Sequence, residues 1–290
     1  MITIQEPTGS TAEIDPHCGG TIREIRLPQE VLYDPEPSHA RDCDTTLFAG
    51  RLLLPFADRI AGGNYRWGGT NYTLPTNDGE LGDAIHGFLY YQQLQVVFQS
   101  SDRLTLGCEL PAQSGYPWPL QVTVSYRVAP ETFFLSVEVL NRGDSAAPLT
   151  VGWHPYFAAD QRATVQIAAS RYIEADDRLR LTGRRPPVEG SNFDFRQARA
   201  IGPESLDVAL ELDQSAQTPV ELTTATHTVR LTPAGMFTRV QLCAPPGGRG
   251  IALEPVSAPG AAFNDPSLGV TELAPGASVA GSVVIQSATR

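Results

Sequence analysis

Lysine is absent: all 21 basic side chains among the 290 residues are arginine. A Schiff-base aldolase and a pyridoxal-phosphate enzyme each require a lysine amine, and a Walker-type phosphate loop ends in Gly-Lys-Ser/Thr. These classes are excluded. Basic runs are missing as well, and with 32 acidic residues the net charge is −11. Nucleic-acid phosphates require clustered cations, so no nucleic-acid partner is expected. No apolar run is long enough to span a bilayer, so no membrane partner is expected either. Met1-Ile2-Thr3-Ile4-Gln5-Glu6 carries no basic segment leading into an apolar one, which points to a soluble cytoplasmic protein and leaves a mature secreted form open. Cysteine is scarce. Cys18, Cys43, Cys108 and Cys243 lie far apart with no C-x-x-C spacing, which argues against a zinc site or a redox pair; buried free thiols are expected. The G-x-S-x-G, H-E-x-x-H and G-x-G-x-x-G signatures are missing too.

What is present suits one globular β-rich domain over 1–290. The hydrophobic share is 41% against 18% charged, enough to bury a large core. Gly 26 and Pro 24 imply frequent turns and many short strands. Leu120, Val122, Val124, Tyr126 and Val128 alternate with polar residues, and after Ala129-Pro130-Glu131 the alternation resumes at Phe133, Leu135, Val137 and Val139. This pattern predicts an antiparallel hairpin. A second hairpin is expected where Gly68-Gly69 joins Tyr65-Arg66-Trp67 to Thr70-Asn71-Tyr72-Thr73-Leu74. Further strands are expected over 21–27, 90–98, 103–109, 163–168, 227–232, 237–243, 250–254 and 278–286, and long loops over 28–48 and 184–205. Strand after strand without amphipathic helices predicts packed antiparallel sheets.

A few polar residues stand in unusual settings. His86 follows the polar loop Thr76-Asn77-Asp78-Gly79-Glu80 and precedes Gly87, which lets the backbone turn beside the ring. His154 lies in Gly152-Trp153-His154-Pro155-Tyr156-Phe157, with aromatic residues on both sides. Glu254 ends the apolar stretch Ile251-Ala252-Leu253, so a carboxylate stands where a buried strand emerges. Arg59 lies in the largely apolar Pro55-Phe56-Ala57-Asp58-Arg59-Ile60; Asp207, in Ser205-Leu206-Asp207-Val208, reads equally as a helix N-cap.

Taken together, these blocks resemble the aldose 1-epimerase (galactose mutarotase) family over nearly the whole chain. The blocks are Phe56-Ala57-Asp58-Arg59-Ile60-Ala61-Gly62-Gly63-Asn64-Tyr65 with Gly69, Tyr72, Leu74, Asn77 and His86-Gly87; then Gly115-Tyr116-Pro117-Trp118-Pro119; then Gly152-Trp153-His154-Pro155-Tyr156-Phe157; then Glu254-Pro255-Val256-Ser257-Ala258-Pro259 with Ala262-Phe263-Asn264. The resemblance implies an all-β fold, a large antiparallel β-sandwich of the supersandwich type. It implies an isomerase that interconverts the α and β anomers of a hexose by opening and reclosing the hemiacetal, with no metal or organic cofactor. By its pattern Glu254 is the general base, His154 the general acid at the ring oxygen, and His86 a support for the charge developing there. Arg59 and Asp207 hold sugar hydroxyls, and Trp153 and Tyr156 are candidates to stack on the sugar. The partner is then a small sugar, with monomer and homodimer both open. Two departures matter: the family usually has Asn where this chain has Asp58, and a Gly-Phe-Asp-Lys block after His-Gly where this chain has Phe88-Leu89-Tyr90-Tyr91. They place the chain nearer the compact bacterial branch, whose substrates vary.

The chemistry is consistent with those residue types, since a carboxylate with an imidazolium is a natural base and acid near neutral pH. Two other readings stay in view. One is an epimerase for an anionic hexose, a 6-phosphate or a sulfonated sugar, with Arg51, Arg171, Arg178, Arg184 and Arg185 as candidate anion contacts by residue type. The other is a carbohydrate-binding sandwich without catalysis. A glycoside hydrolase usually needs two carboxylates across the bond, and only one well-placed carboxylate is visible.

Overall fold

The computed structural model describes residues 1–27, 29–32, 35, 43, 47–160, 162–202, 205–244 and 250–290. Among these, two large antiparallel sheets face each other, one of 11 strands and one of 9. The expected hairpin forms the middle of the smaller sheet: Leu120–Ala129 pairs with Thr132–Asn141 through a ten-residue register from Leu120↔Asn141 to Ala129↔Thr132. Its alternation is the physical cause of its place. Val122, Val124, Tyr126, Phe133, Leu135 and Val137 are buried, while Gln121, Arg127, Ser136 and Glu138 face out. The Gly68-Gly69 hairpin also forms, as Asn64–Trp67 against Thr70–Thr73.

The other sheet supplies the opposite wall through Ile251, Leu253, Val240, Leu242, Val208, Leu210, Trp153 and Phe157, and one contiguous apolar cluster joins the two walls. Phe133 and Trp153 meet across it with ring centroids 6.3 Å apart. Each such side chain contributes roughly 1.5–3 kcal/mol by leaving water. Two sheets joined by one apolar core make a sandwich, and the all-β expectation holds.

Several boundaries differ from expectation. Residues 90–98 divide into a 3-10 turn, Leu89–Tyr91, and an edge strand, Gln95–Gln99. Asp207 caps no helix: it lies in the strand Leu206–Leu212, because Leu206, Val208 and Leu210 alternate toward the core. The 28–48 loop contains the strand Gln29–Leu32, and the rest of it falls largely outside the described residues, as do 203 and 204 of the second loop. The cysteine expectation is overturned in part. Cys18 and Cys43 form a disulfide with Cα atoms 5.2 Å apart, and only Cys108 and Cys243 are free. Sequence spacing conceals this pairing because 25 positions separate the two residues and only tertiary folding brings them together. No helix among the described residues is long and apolar enough to cross a membrane.

Candidate active site

The larger sheet has a second face, turned away from the apolar core, and the period-2 alternation of its strands determines what stands there. Glu254 and Ala252 project from Ile251–Val256, opposite Leu253 and Ile251, which point into the core. Register then builds the row outward: Tyr156 pairs with Ala252, Gln241 with Glu254, Cys243 with Ala252, and Asp207 with Cys243. Gln241 Nε2 donates to Asp207 Oδ1. Tyr156, Glu254, Gln241, Cys243 and Asp207 therefore share one face of four adjacent strands.

His154 joins this row from the irregular step between Gly152–Trp153 and Tyr156–Phe157. Its N–H donates to the Arg51 carbonyl at 2.9 Å and its carbonyl accepts from Gly50 N–H at 2.7 Å. The ring lies parallel to Tyr156, centroids 5.3 Å apart, and Nε2 is 3.4 Å from Glu254 Oε1. The same alternation turns Trp153 the other way. It is fully buried in the core, its indole N–H donating to the Gly50 carbonyl at 3.2 Å, so the expectation that it contacts substrate is corrected. Phe48 supplies the aromatic wall instead, edge-on to His86 at 4.5 Å.

His86 and Arg59 arrive together on a small ladder above the sheet, where Arg59 pairs with Ile85. The chain enters and leaves this ladder through left-handed backbone at Asp58 (φ 56°), His86 (φ 63°) and Gly87 (φ 71°), and His86 N–H donates to the Asp58 carbonyl at 3.0 Å. The two histidine rings meet edge to face at 5.5 Å. Arg59 is held on its carboxylate side, Nη1 to Asp78 Oδ2 at 2.8 Å and Nε to Asp58 Oδ1 at 3.5 Å. A cavity of about 370 Å³ opens here, lined by Phe48, Arg59, Asp78, His86, His154, Tyr156 and, from another segment, Asp177, Arg178 and Leu179. That size lies within the roughly 300–1,000 Å³ of small-molecule sites. A wider groove of about 790 Å³ along 190–199 contains no histidine, and its Arg196 is already clamped by Asp194, so volume alone does not identify the site.

The electrostatics follow from burial. Removing carboxylates from water, with Asp207 and Asp58 nearby, pushes Glu254 well above the ordinary carboxylate range. Burial pushes Asp58 up to about 7, and Asp207 is also raised chiefly by desolvation, although it keeps an open side to solvent. Burial lowers His154 to about 4 and, helped by His154 and Arg59, holds His86 well below 6.5. Burial thus disfavours the charged carboxylate–imidazolium pair expected from the sequence.

The structure therefore brings together Glu254, His154, His86, Arg59, Asp207 and Tyr156, and removes Trp153. Asp78, Gln241 and Phe48 were not singled out from the sequence. Gln241 had a signal, as the polar member between Val240 and Leu242; Phe48 had none, since its approach depends on a positive φ of 52°.

Comparison with known proteins identifies the family and the fold. A sequence profile described as aldose 1-epimerase matches residues 1–286. The protein YihR of Escherichia coli K12, described as uncharacterized, is 32% identical over 228 residues, 74% of this chain and 71% of its own. The aldose 1-epimerase of the same organism is 27% identical over 65% of this chain and 58% of its length. Among solved structures, a GalM/aldose epimerase homologue from C. elegans superposes with a TM-score of 0.87 at 20% identity, covering 99% of this chain and 98% of that one. The chain belongs to the aldose 1-epimerase family.

Proposed function

We propose that this protein is a cytoplasmic aldose 1-epimerase that interconverts the anomers of a hexose, with Glu254 as general base and His154 as general acid. The observation that carries the reading is the 3.4 Å approach of His154 Nε2 to Glu254 Oε1 beside a sugar-sized cavity. In a cyclic aldose the C1 hydroxyl and the ring oxygen share one carbon, so their base and acid must stand within a few ångströms of each other. Glu254 takes the C1 hydroxyl proton as protonated His154 gives one to the ring oxygen; the C1–O bond of the ring breaks and an open aldehyde results. Rotation about C1–C2 and the reverse transfers close the other anomer. His86 faces His154 and supports the developing charge at the ring oxygen.

Because burial disfavours charge on both groups, the reactive pairing of ionised Glu254 with protonated His154 must form as the sugar binds. Polar substrate contacts at the carboxylate drive this step, and Arg59 and Asp207 hold the hydroxyls that set the sugar's position. The pair titrates as a unit, so loss of its proton, the alkaline limb of the kcat/KM profile, is expected above the ordinary carboxylate pKa of 4.5, and the acid limb falls below the ordinary imidazole value of 6.5.

One observation favours a second reading, an epimerase for an anionic hexose. Of the five candidate arginines, Arg178 lines the cavity. Arg51 is buried on Thr21 Oγ1, Arg171 donates to the Arg185 carbonyl, Arg184 pairs with Glu174 and Arg185 with Glu211. The test is polarimetry, or anomeric proton NMR, on freshly dissolved α-D-glucose, α-D-galactose and glucose 6-phosphate, with the protein and its Glu254→Gln variant. Acceleration of a neutral sugar that falls about 10²–10⁴-fold in the variant supports the first reading. Acceleration confined to the phosphorylated sugar supports the second, and none on any sugar, with sugar still bound, leaves a binding sandwich.

A further inference from the structure

Asp83 takes no part in the proton transfers, yet it is a fully buried charge beside the sugar-facing arginine. Its Oδ1 accepts from Gly62 N–H and forms an ion pair with Arg180 Nη2, each at 2.8 Å. Its Oδ2 lies 3.9 Å from Arg59 Nη1. Its carbonyl accepts from the N–H groups of Asn77 and Asp78, each at 3.0 Å, and so fixes the turn that brings the Asp78 carboxylate to Arg59. One buried carboxylate therefore touches the Arg59 assembly on one side and, on the other, an arginine some hundred positions later in the chain.

Arg180 belongs to a tight excursion of the chain over the cavity. Ala175 and Leu181 bridge its base, and the Asp176 carboxylate accepts from the N–H groups of Arg178 and Arg180 at 2.9 Å each. Leu179 turns through left-handed backbone at φ 57°. The result is that Arg178 and Leu179 line the cavity of His86 and His154, and Leu179 also walls the narrow space beside Asp58, Asp207 and Gln241. Arg178 is exposed and the turn buries little of its own, so its position over the site needs an anchor. The Arg180–Asp83 pair supplies one, because releasing Arg180 would leave a buried carboxylate short of its countercharge.

We propose that Asp83 and Arg180 form a latch that holds the 176–181 turn against the sugar, with Arg178 and Leu179 as substrate contacts. Asp83 and Arg180 are positioning residues, and the shared carboxylate couples the turn to Arg59. The inference rests on the sugar-epimerase reading for its substrate, but not for its mechanics.

Limited trypsinolysis tests it directly. In a chain without lysine trypsin cuts only after arginine, so cleavage of the Arg178–Leu179 bond, followed by mass spectrometry, reports opening of the turn. The latch predicts slow cleavage in the native protein, slowed further by a saturating sugar, and at least tenfold faster cleavage in Arg180→Ala and Asp83→Asn. It also predicts a KM raised at least tenfold with kcat within about threefold, partial recovery in Arg180→Lys, and a double variant no worse than the worse single one. Arg180→Ala cleaved at the native rate, an unchanged KM, or additive losses in the double variant would overturn the proposal. If Asp83→Asn does not fold, Arg180→Ala alone decides. If no sugar is turned over by the native protein, the epimerase reading fails while the cleavage rates still decide the latch.

Discussion

Burial of charge is the common feature of the site's individual residues, and Asp58 shows its consequence most directly. Its carboxyl is pushed from the ordinary 3.8 up to about 7, first by desolvation and then by Asp207, against the pull of Arg59. Between those two pH values the unfolded chain has released a proton that the folded protein still holds, so raising the pH from about 4 to about 7 lowers stability. His154 acts in the opposite sense: its folded value near 4 lies below 6.5, so stability falls as the pH drops through that window. Asp58→Asn removes the first effect alone, and Asn tolerates the left-handed backbone at φ 56°. We expect the variant to match the native protein near pH 4 and to exceed it by on the order of 1–2 kcal/mol at pH 8, measured by urea unfolding at both pH values. Equal stability at pH 8 would show that Asp58 is ionised there without cost.

Single elements place these residues by simple rules. The alternation of Trp153, His154, Tyr156 and Phe157 sends one pair into the core and the other into the cavity, and the ladder at Arg59–Ile60 sets His86 above them. Gly87 is where that ladder has no slack. A Cβ there would lie 2.2 Å from the Leu54 carbonyl oxygen, and φ is 71°. Gly87→Ala should lower stability by at least about 2 kcal/mol and shift His86 from its contact with His154, so kcat falls more than KM rises. Thermal melts and steady-state anomerisation kinetics check both. Much of this scale was legible beforehand: the two hairpins formed where alternation and paired glycines indicated. Asp207 was not, because a polar residue after serine and leucine reads as a cap until its neighbours are seen to alternate into the core.

At the scale of the whole molecule, pairings between strands far apart in the chain bring positions 156, 207 and 254 to one face of the larger sheet with position 154 beside them, and the small ladder sets 59 and 86 over it. Burial raises the carboxyls of Glu254, Asp58 and Asp207 there, while Asp78 and Asp83 are paired with Arg59 and Arg180. The Cys18–Cys43 disulfide ties Cys43 to the turn at Pro16–Cys18. Closing a loop with a sequence separation of 25 should stabilise by about 2–4 kcal/mol, so Cys18→Ala with Cys43→Ala should lower the denaturant midpoint accordingly. An unchanged midpoint would show that the bond is not formed in solution. Disulfides persist in oxidising compartments, so protein taken from a reducing cytoplasm should resemble this variant in stability until it is oxidised.

The sequence by itself determined the class of fold and the cast of the candidate site. Period-2 alternation and turn residues are local properties, and the blocks around Arg59, His86, His154 and Glu254 carry the family resemblance in their order. Tertiary structure alone decided which members of that cast meet. Trp153 left the site because strand alternation turned it inward; Cys18 found Cys43; Asp83 and Arg180 came together across a hundred positions. The upward shift of Glu254 and the downward shift of His154 were decided there too, since desolvation depends on what packs around a group and not on what precedes it in the chain.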